Sequence, residues 1–274
     1  MASLPPDALT VRSGRVRQAR RLATRRFRAE TGLFLAEGPQ AVRESLADPV
    51  PAREVFATDA ATDRHRDVRD AARAAGVAWT LVDEEVLAHL ADATTPQGLV
   101  AVCRSVVRDL DALPTRARLV VVCHDMRDPG NAGAVIRCAD AAGADAVVLS
   151  AQSVDPLNPK AVRASVGSLF HLPVIVEQDH AAVVAALRER GLRVLATDGE
   201  AERDLFDPEL DLAAPTAWVM GNEAQGLPAA VRDAADEAVA VPILGRAESL
   251  NLATAAAVCL YASARHQRPS GGDR

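Results

Sequence analysis

Apolar positions along this chain change rhythm partway through. In the first hundred residues, short apolar runs at 33–37, 55–57, 79–82 and 99–103 predict strands. Stretches with apolar spacing of three to four predict helices over 15–30, after 38, over 64–75 and over 84–90. Gly38-Pro39 closes the first strand, because proline cannot donate to a ladder. From residue 119 the runs become continuous and β-branched, as in Leu119-Val120-Val121-Val122, which is the signature of parallel strands buried on both faces. Further strands are expected over 146–149, 173–176, 193–196, 217–220 and 238–241, with helices over 134–142, 181–190 and 250–265.

This alternation predicts a largely parallel, doubly wound, Rossmann-like α/β sheet preceded by a smaller α/β unit. The charged stretch 108–118, broken by Leu113-Pro114, reads as the linker between a domain over 1–110 and another over 118–268. The tail 268–274 is expected to be disordered. In a sheet of this type ligands bind beyond the carboxyl ends of the strands, so chemistry is sought just after each one.

With 274 residues, 49% of them hydrophobic, the chain can bury a substantial core. No apolar run reaches the roughly 20 residues a membrane span needs, and the arginine-rich start lacks a secretory apolar stretch, so the expected location is cytoplasmic. Cys103, Cys123, Cys138 and Cys259 are far apart and form no metal-ligand spacing, so they read as free thiols and no metal is expected. The net charge of −6 is unevenly spread. Eight arginines against Asp7 and Glu30 give the first 30 residues +6, leaving −12 on the remainder. Such a basic arm suits local grip on a polyanion such as RNA, with Arg20, Arg21 and Arg25 as candidate phosphate contacts. A solvated arginine-rich helix with no ligand has the same composition, and Lys160 is the single lysine, so arginine abundance alone proves little.

Three motifs sit at expected strand ends. The first is Asp128-Pro129-Gly130-Asn131-Ala132-Gly133, with Arg137 two turns into the following helix, which Asn131 can cap. Gly130 and Gly133 alone do not make the G-x-G-x-x-G loop of a nicotinamide-dependent oxidoreductase. The second is Met220-Gly221-Asn222-Glu223-Ala224-Gln225-Gly226, in which Glu223 either holds a ligand or complements a helix dipole. The third is Val241-Pro242-Ile243-Leu244-Gly245-Arg246-Ala247-Glu248-Ser249-Leu250-Asn251, with Ser249 as the expected helix cap and Asn251 in the first turn.

Together these motifs, with Asn158-Pro159-Lys160-Ala161-Val162-Arg163-Ala164-Ser165-Val166-Gly167-Ser168 between the first two, resemble the SpoU (TrmH-like) family of RNA 2′-O-ribose methyltransferases. The resemblance covers about 119–265 and extends more weakly to Phe34-Leu35-Ala36-Glu37-Gly38-Pro39, similar to the start of the family's L30e-like substrate-binding domain. It implies a SPOUT-type sheet tied into a trefoil knot, a homodimer, and methyl transfer from S-adenosylmethionine to a ribose hydroxyl of structured RNA, with 23S ribosomal RNA preferred over tRNA. It further implies catalytic roles for Arg137, Asn131, Glu223, Ser249 and Asn251. Cofactor contacts are implied at Thr197, Gly199, Gly221, Val241, Ile243 and Leu250, and a second phosphate contact at Arg163. An RNA-binding or ribosome-assembly protein of the same fold without turnover is the main alternative.

Overall fold

The computed structural model describes residues 9–47, 49–150, 152–222 and 225–267. It divides into two compact units, the first reaching Val106 and including Asp155–Phe170, the second made of Val107–Val154 and the chain from His171.

In the first unit, strands β1 (Leu33–Glu37), β2 (Ala52–Ala57), β3 (Ala78–Leu81) and β4 (Leu99–Arg104) form a sheet in the order β1-β4-β2-β3. β4 runs antiparallel to both neighbours, and β2 and β3 are parallel. Its helices are α1 (Gly14–Arg21), α2 (Arg25–Thr31), α3 (Pro39–Glu44), α4 (Asp59–Arg64), α5 (Arg66–Ala74) and α6 (Glu84–Leu90). The single helix expected over 15–30 is therefore two, and buried Arg28 accounts for the break. Its guanidinium donates to the carbonyls of Leu22 and Ala23 at 2.8 and 2.9 Å, satisfying oxygens that a continuous helix would have used. One core beneath these helices is built from Val16, Ala19, Leu22, Leu35, Phe56, Val86, Leu87 and Val100.

In the second unit seven strands pair side by side, all parallel, in the order β11-β9-β10-β6-β7-β8-β5. They are β5 (Val107–Arg108), β6 (Leu119–Cys123), β7 (Ala146–Ser150), β8 (Val174–Glu177), β9 (Arg193–Thr197), β10 (Thr216–Met220) and β11 (Glu237–Val239). The helices of this unit are α7 (Pro129–Ala142), α9 (His180–Glu189), α10 (Ala229–Asp233) and α11 (Leu252–Gln267), while α8 (Pro159–Ser165) belongs to the first. From β6 the chain moves outward through β7 and β8, then crosses back to β9, and β10 fills the gap beside β6. The order thus reverses between β6 and β10, the place where such sheets open a crevice at their carboxyl edge.

Two boundaries differ from the sequence reading. The stretch 108–118 is no free linker: Val107 and Arg108 pair with Val174 and Ile175 as an edge strand, and Leu113 and Ala117 are buried in the second unit's core. Residues 155–170, expected within 118–268, join the first unit. There Arg28 donates to Asp155 through Nε and Nη2 at 2.8 and 2.6 Å, and Phe170 stacks on Phe34. No helix among the described residues is long and apolar enough to cross a membrane.

Candidate functional site

The site grows from the carboxyl edge of the second unit's sheet. β6 ends at Cys123, and Asp125 two residues later takes a left-handed backbone conformation, φ 52°, which aspartate tolerates better than most side chains. That turn aims the Asp125 carbonyl at Asn222, whose Nδ2 donates to it at 2.7 Å. The ends of β6 and β10 are thereby tied across the reversal point. Gly221 itself is fixed by crowding, since a Cβ there would lie 2.4 Å from the carbonyl carbon of Gly226. Asn222 and Gly226 close the loop with two reciprocal backbone bonds of 2.9 Å.

α7 begins at this edge, and its cap is Asp128, not Asn131. Asp128 Oδ1 accepts from the Asn131 amide at 2.8 Å, with Pro129 in the first turn where no N–H is needed. Asn131 is left to use its side chain, and its Oδ1 accepts from Asn251 Nδ2 at 2.9 Å. Asn251 is the cap of α11, taking the place expected for Ser249, because its Oδ1 accepts from the Ala253 amide at 2.9 Å. One amide therefore serves two purposes, its oxygen starting a helix and its nitrogen holding the first motif to the third. Ser249 is exposed and makes no hydrogen bond to a described residue.

Arg137 projects from α7 exposed, and its guanidinium has no hydrogen bond or ion pair among the described residues. Glu223 lies outside the described residues. Thr197 ends β9 with its hydroxyl donating to the Val219 carbonyl at 3.0 Å. Gly199 faces open space. Because β11, β9 and β10 are adjacent and parallel, Thr197, Gly221 and Val241 all emerge from one edge. The loop that follows carries Ile243, Leu244 and Leu250, exposed at 38%, 89% and 37%. Apolar side chains left open at a polar strand edge are suited to an adenosyl group, whose base and ribose offer apolar faces.

On the opposite face of the same sheet, sequence reading missed a pair of histidines. His124, directly after β6, meets His180 at the start of α9 edge to face, with ring centroids 5.8 Å apart. His124 Nδ1 and His180 Nε2 are buried without a hydrogen-bond partner among the described residues. Burial, reinforced by the neighbouring His124, holds His180 below the ordinary imidazole range. Nothing in the linear sequence joins positions 124 and 180. Asp125 and Asn222 were equally silent, since their roles depend on a turn and a contact between distant strand ends. Among the described residues, no three metal-ligating side chains cluster. Burial raises the Cys103 and Cys259 thiols to about 12.

The candidate RNA contacts are treated unequally in the first unit. Arg20, Arg21 and Arg25 are exposed, and the Arg21 guanidinium lies 3.9 Å from the centroid of the Phe27 ring. Arg163 is already committed, with Nη1 2.7 Å from Asp92 and 3.8 Å from Glu37, so a phosphate there would have to displace two carboxylates.

Comparison with known proteins matches residues 118–261 to the SpoU rRNA Methylase family and residues 14–101 to the MRM3-like substrate binding domain. The 23S rRNA (guanosine(2553)-2′-O)-methyltransferase RlmP of Bacillus subtilis is 33% identical over 252 residues, 92% of this chain and 96% of that protein. The 23S rRNA (uridine(2479)-2′-O)-methyltransferase of Streptomyces viridochromogenes is 33% identical over 271 residues, 96% of this chain and 93% of that protein. Among solved structures, the AdoMet-bound rRNA methyltransferase of Sinorhizobium meliloti superposes with a TM-score of 0.84 at 30% identity, covering 96% of this chain and 98% of that one.

Proposed function

This chain belongs to the SpoU rRNA methylase family, and from that premise we propose that it methylates a ribose 2′-hydroxyl of 23S ribosomal RNA using S-adenosylmethionine. The observation that carries the reading is convergence: Asn222 bonded to Asp125, and Asn251 bonded to Asn131, draw three distant motifs to one strand edge, and α7, which starts there, carries Arg137 without a polar partner among the described residues.

The cofactor, when bound, supplies an electrophilic sulfonium methyl. Ile243, Leu244 and Leu250 would cover its apolar faces, with Thr197, Gly199, Gly221 and Val241 bordering the bed. Arg137 is the catalytic residue in this reading. A guanidinium stays protonated at neutral pH, so it serves poorly as a base, but its planar fork can hold a backbone phosphate and stabilise charge developing on the ribose oxygen. Asn131 and Asn251 tie the start of the helix that carries it to the start of α11, and Glu223 and Ser249 are candidates for orienting the ribose. The exposed arginines of α1 and α2, Arg20, Arg21 and Arg25, bring the RNA, and the first unit acts as its L30e-like carrier. We further read the sheet as trefoil-knotted and the protein as a cytoplasmic homodimer. Exposed Phe206 and Tyr261, beside a cavity lined by Leu205, Leu210 and Val258, support an apolar face for the second copy.

Arg137→Lys tests the assignment. A point charge without the fork should lower methyl transfer from labelled cofactor to 23S rRNA by about 100-fold or more while calorimetric cofactor affinity stays unchanged. Turnover near that of the unmodified protein would remove Arg137 from the reaction.

A further inference from the structure

We propose that a cavity in the first unit, between α1, α2 and the face of the four-stranded sheet, receives a single unpaired base of the RNA. This inference rests on the ribosomal RNA reading above and adds a base contact to the backbone recognition that a chain with 3% aromatic residues predicts.

The cavity has a volume of about 350 Å³, within the range of small-molecule sites. Its floor is the unsealed end of the first unit's core. Leu22 and Phe56 are buried there, while Phe27, Leu33 and Val102 pack against the same cluster but remain half exposed. A core normally closes over such side chains, and here the break between α1 and α2 leaves them open. The rim is polar, formed by Arg15, Gln18, Arg53 and Glu54. Arg15 and Glu54 form an ion pair, and the Thr80 hydroxyl donates to Glu54 at 2.7 Å, so a guanidinium donor and a carboxylate acceptor stand side by side. The Watson–Crick edge of every base, exposed when the base is unpaired, presents adjacent donor and acceptor groups, and an apolar floor with such a rim matches a base better than it matches a phosphate.

Charge favours a nucleic acid over a neutral metabolite. The guanidinium groups of Arg17, Arg20 and Arg25, on the two helices that wall the cavity, are exposed and without a polar partner among the described residues. A backbone tracking these arginines would present its bases to the opening between the helices. Phe27 lines the cavity while its ring carries the Arg21 guanidinium, which couples the basic surface to the apolar floor.

Gln18 is the lever for a test, because it is exposed, lies on the rim and makes no side-chain hydrogen bond among the described residues. Gln18→Trp should fill the opening without disturbing the core. With deproteinised 23S rRNA as the probe, it should raise both KM and filter-binding Kd about tenfold, leave kcat and cofactor affinity alone, and leave the salt dependence of binding unchanged. Gln18→Ala, which removes one rim group without filling the opening, should raise KM and Kd less than Gln18→Trp does. A benzoylphenylalanine placed at position 18 should crosslink to one unpaired nucleotide, mapped by a discrete reverse-transcription stop. Unchanged KM and Kd in Gln18→Trp, or crosslinks scattered along helices, overturn the base receptor. If the parent protein binds this RNA but transfers no methyl group, the enzymatic reading fails instead, and Kd and crosslinking still decide the cavity.

Discussion

The two units use arginine in opposite ways. In the first, Arg28 is 4% exposed and spends all three guanidinium nitrogens, two on Asp155 and one on the carbonyls of Leu22 and Ala23. In the second, Arg137 stands exposed with no polar partner among the described residues, although Asn131 at the start of its helix is bonded to both Asp128 and Asn251. A buried guanidinium must be paired to offset its desolvation, so Arg28 works as a fastener, joining α2 to the segment that begins α8. An exposed one left without a carboxylate keeps its binding capacity for a ligand. The same side chain is structural in one unit and available for chemistry in the other.

The contrast is sharpest in stability. Arg28→Met strands the mostly buried Asp155 carboxylate and should cost about 3 kcal/mol in urea unfolding, while Asp155→Leu in the same chain should recover most of that loss. Arg137→Met should stay within about 0.5 kcal/mol of the parent, as expected of an exposed site. Equal losses from the two substitutions would erase the distinction.

A smaller effect separates positioning from folding within the second unit. Asn251→Asp retains the oxygen that caps α11 and loses the Nδ2 donor to Asn131. Thermal stability should therefore hold while turnover falls by about 10- to 100-fold, the scale of a slight misplacement at a reacting centre. Asn251→Ala should lose both, with about 1 kcal/mol of helix capping added to the kinetic defect. If Asn251→Asp matches the parent in kcat, the bond between the two asparagines has no part in positioning.

The parallel sheet was legible because Leu119–Cys123 and its neighbours are unbroken apolar runs, and the expectation that ligands approach its carboxyl edge came from that sheet type. What escaped was anything decided by contact at long range. Arg28 falls on a helical face that reads as one more basic arm residue, and only its partner 127 positions away shows that it is buried. Arg163 reads as a phosphate ligand until Asp92 and Glu37 are seen beside it. Capping was misplaced for a local reason: Ser249 and Asn251 are both good caps, as are Asp128 and Asn131, and sequence alone does not say which backbone turns first. The cavity was invisible because 15–30 reads as one helix, and it opens where that helix breaks.

The smallest effect concerns the opposite face of the second unit's sheet, where neither treatment of charge applies. His180 is held below the ordinary imidazole range mainly by burial and secondarily by His124, with a backbone contact at Val231 and the Asp179 carboxylate opposing the shift. A histidine depressed in the folded state favours the neutral form there. Its contribution is complete above the unfolded value of about 6.5 and is lost as pH falls from there through the lower folded value. The parent should lose a few degrees more in melting temperature between pH 7.5 and pH 5 than His180→Phe, which keeps an aromatic ring against His124 but cannot take up a proton. Parallel acid limbs for the two proteins would mean that this imidazole is protonated as readily in the fold as out of it, and that the pair is no different in kind from the solvated charges of the first unit.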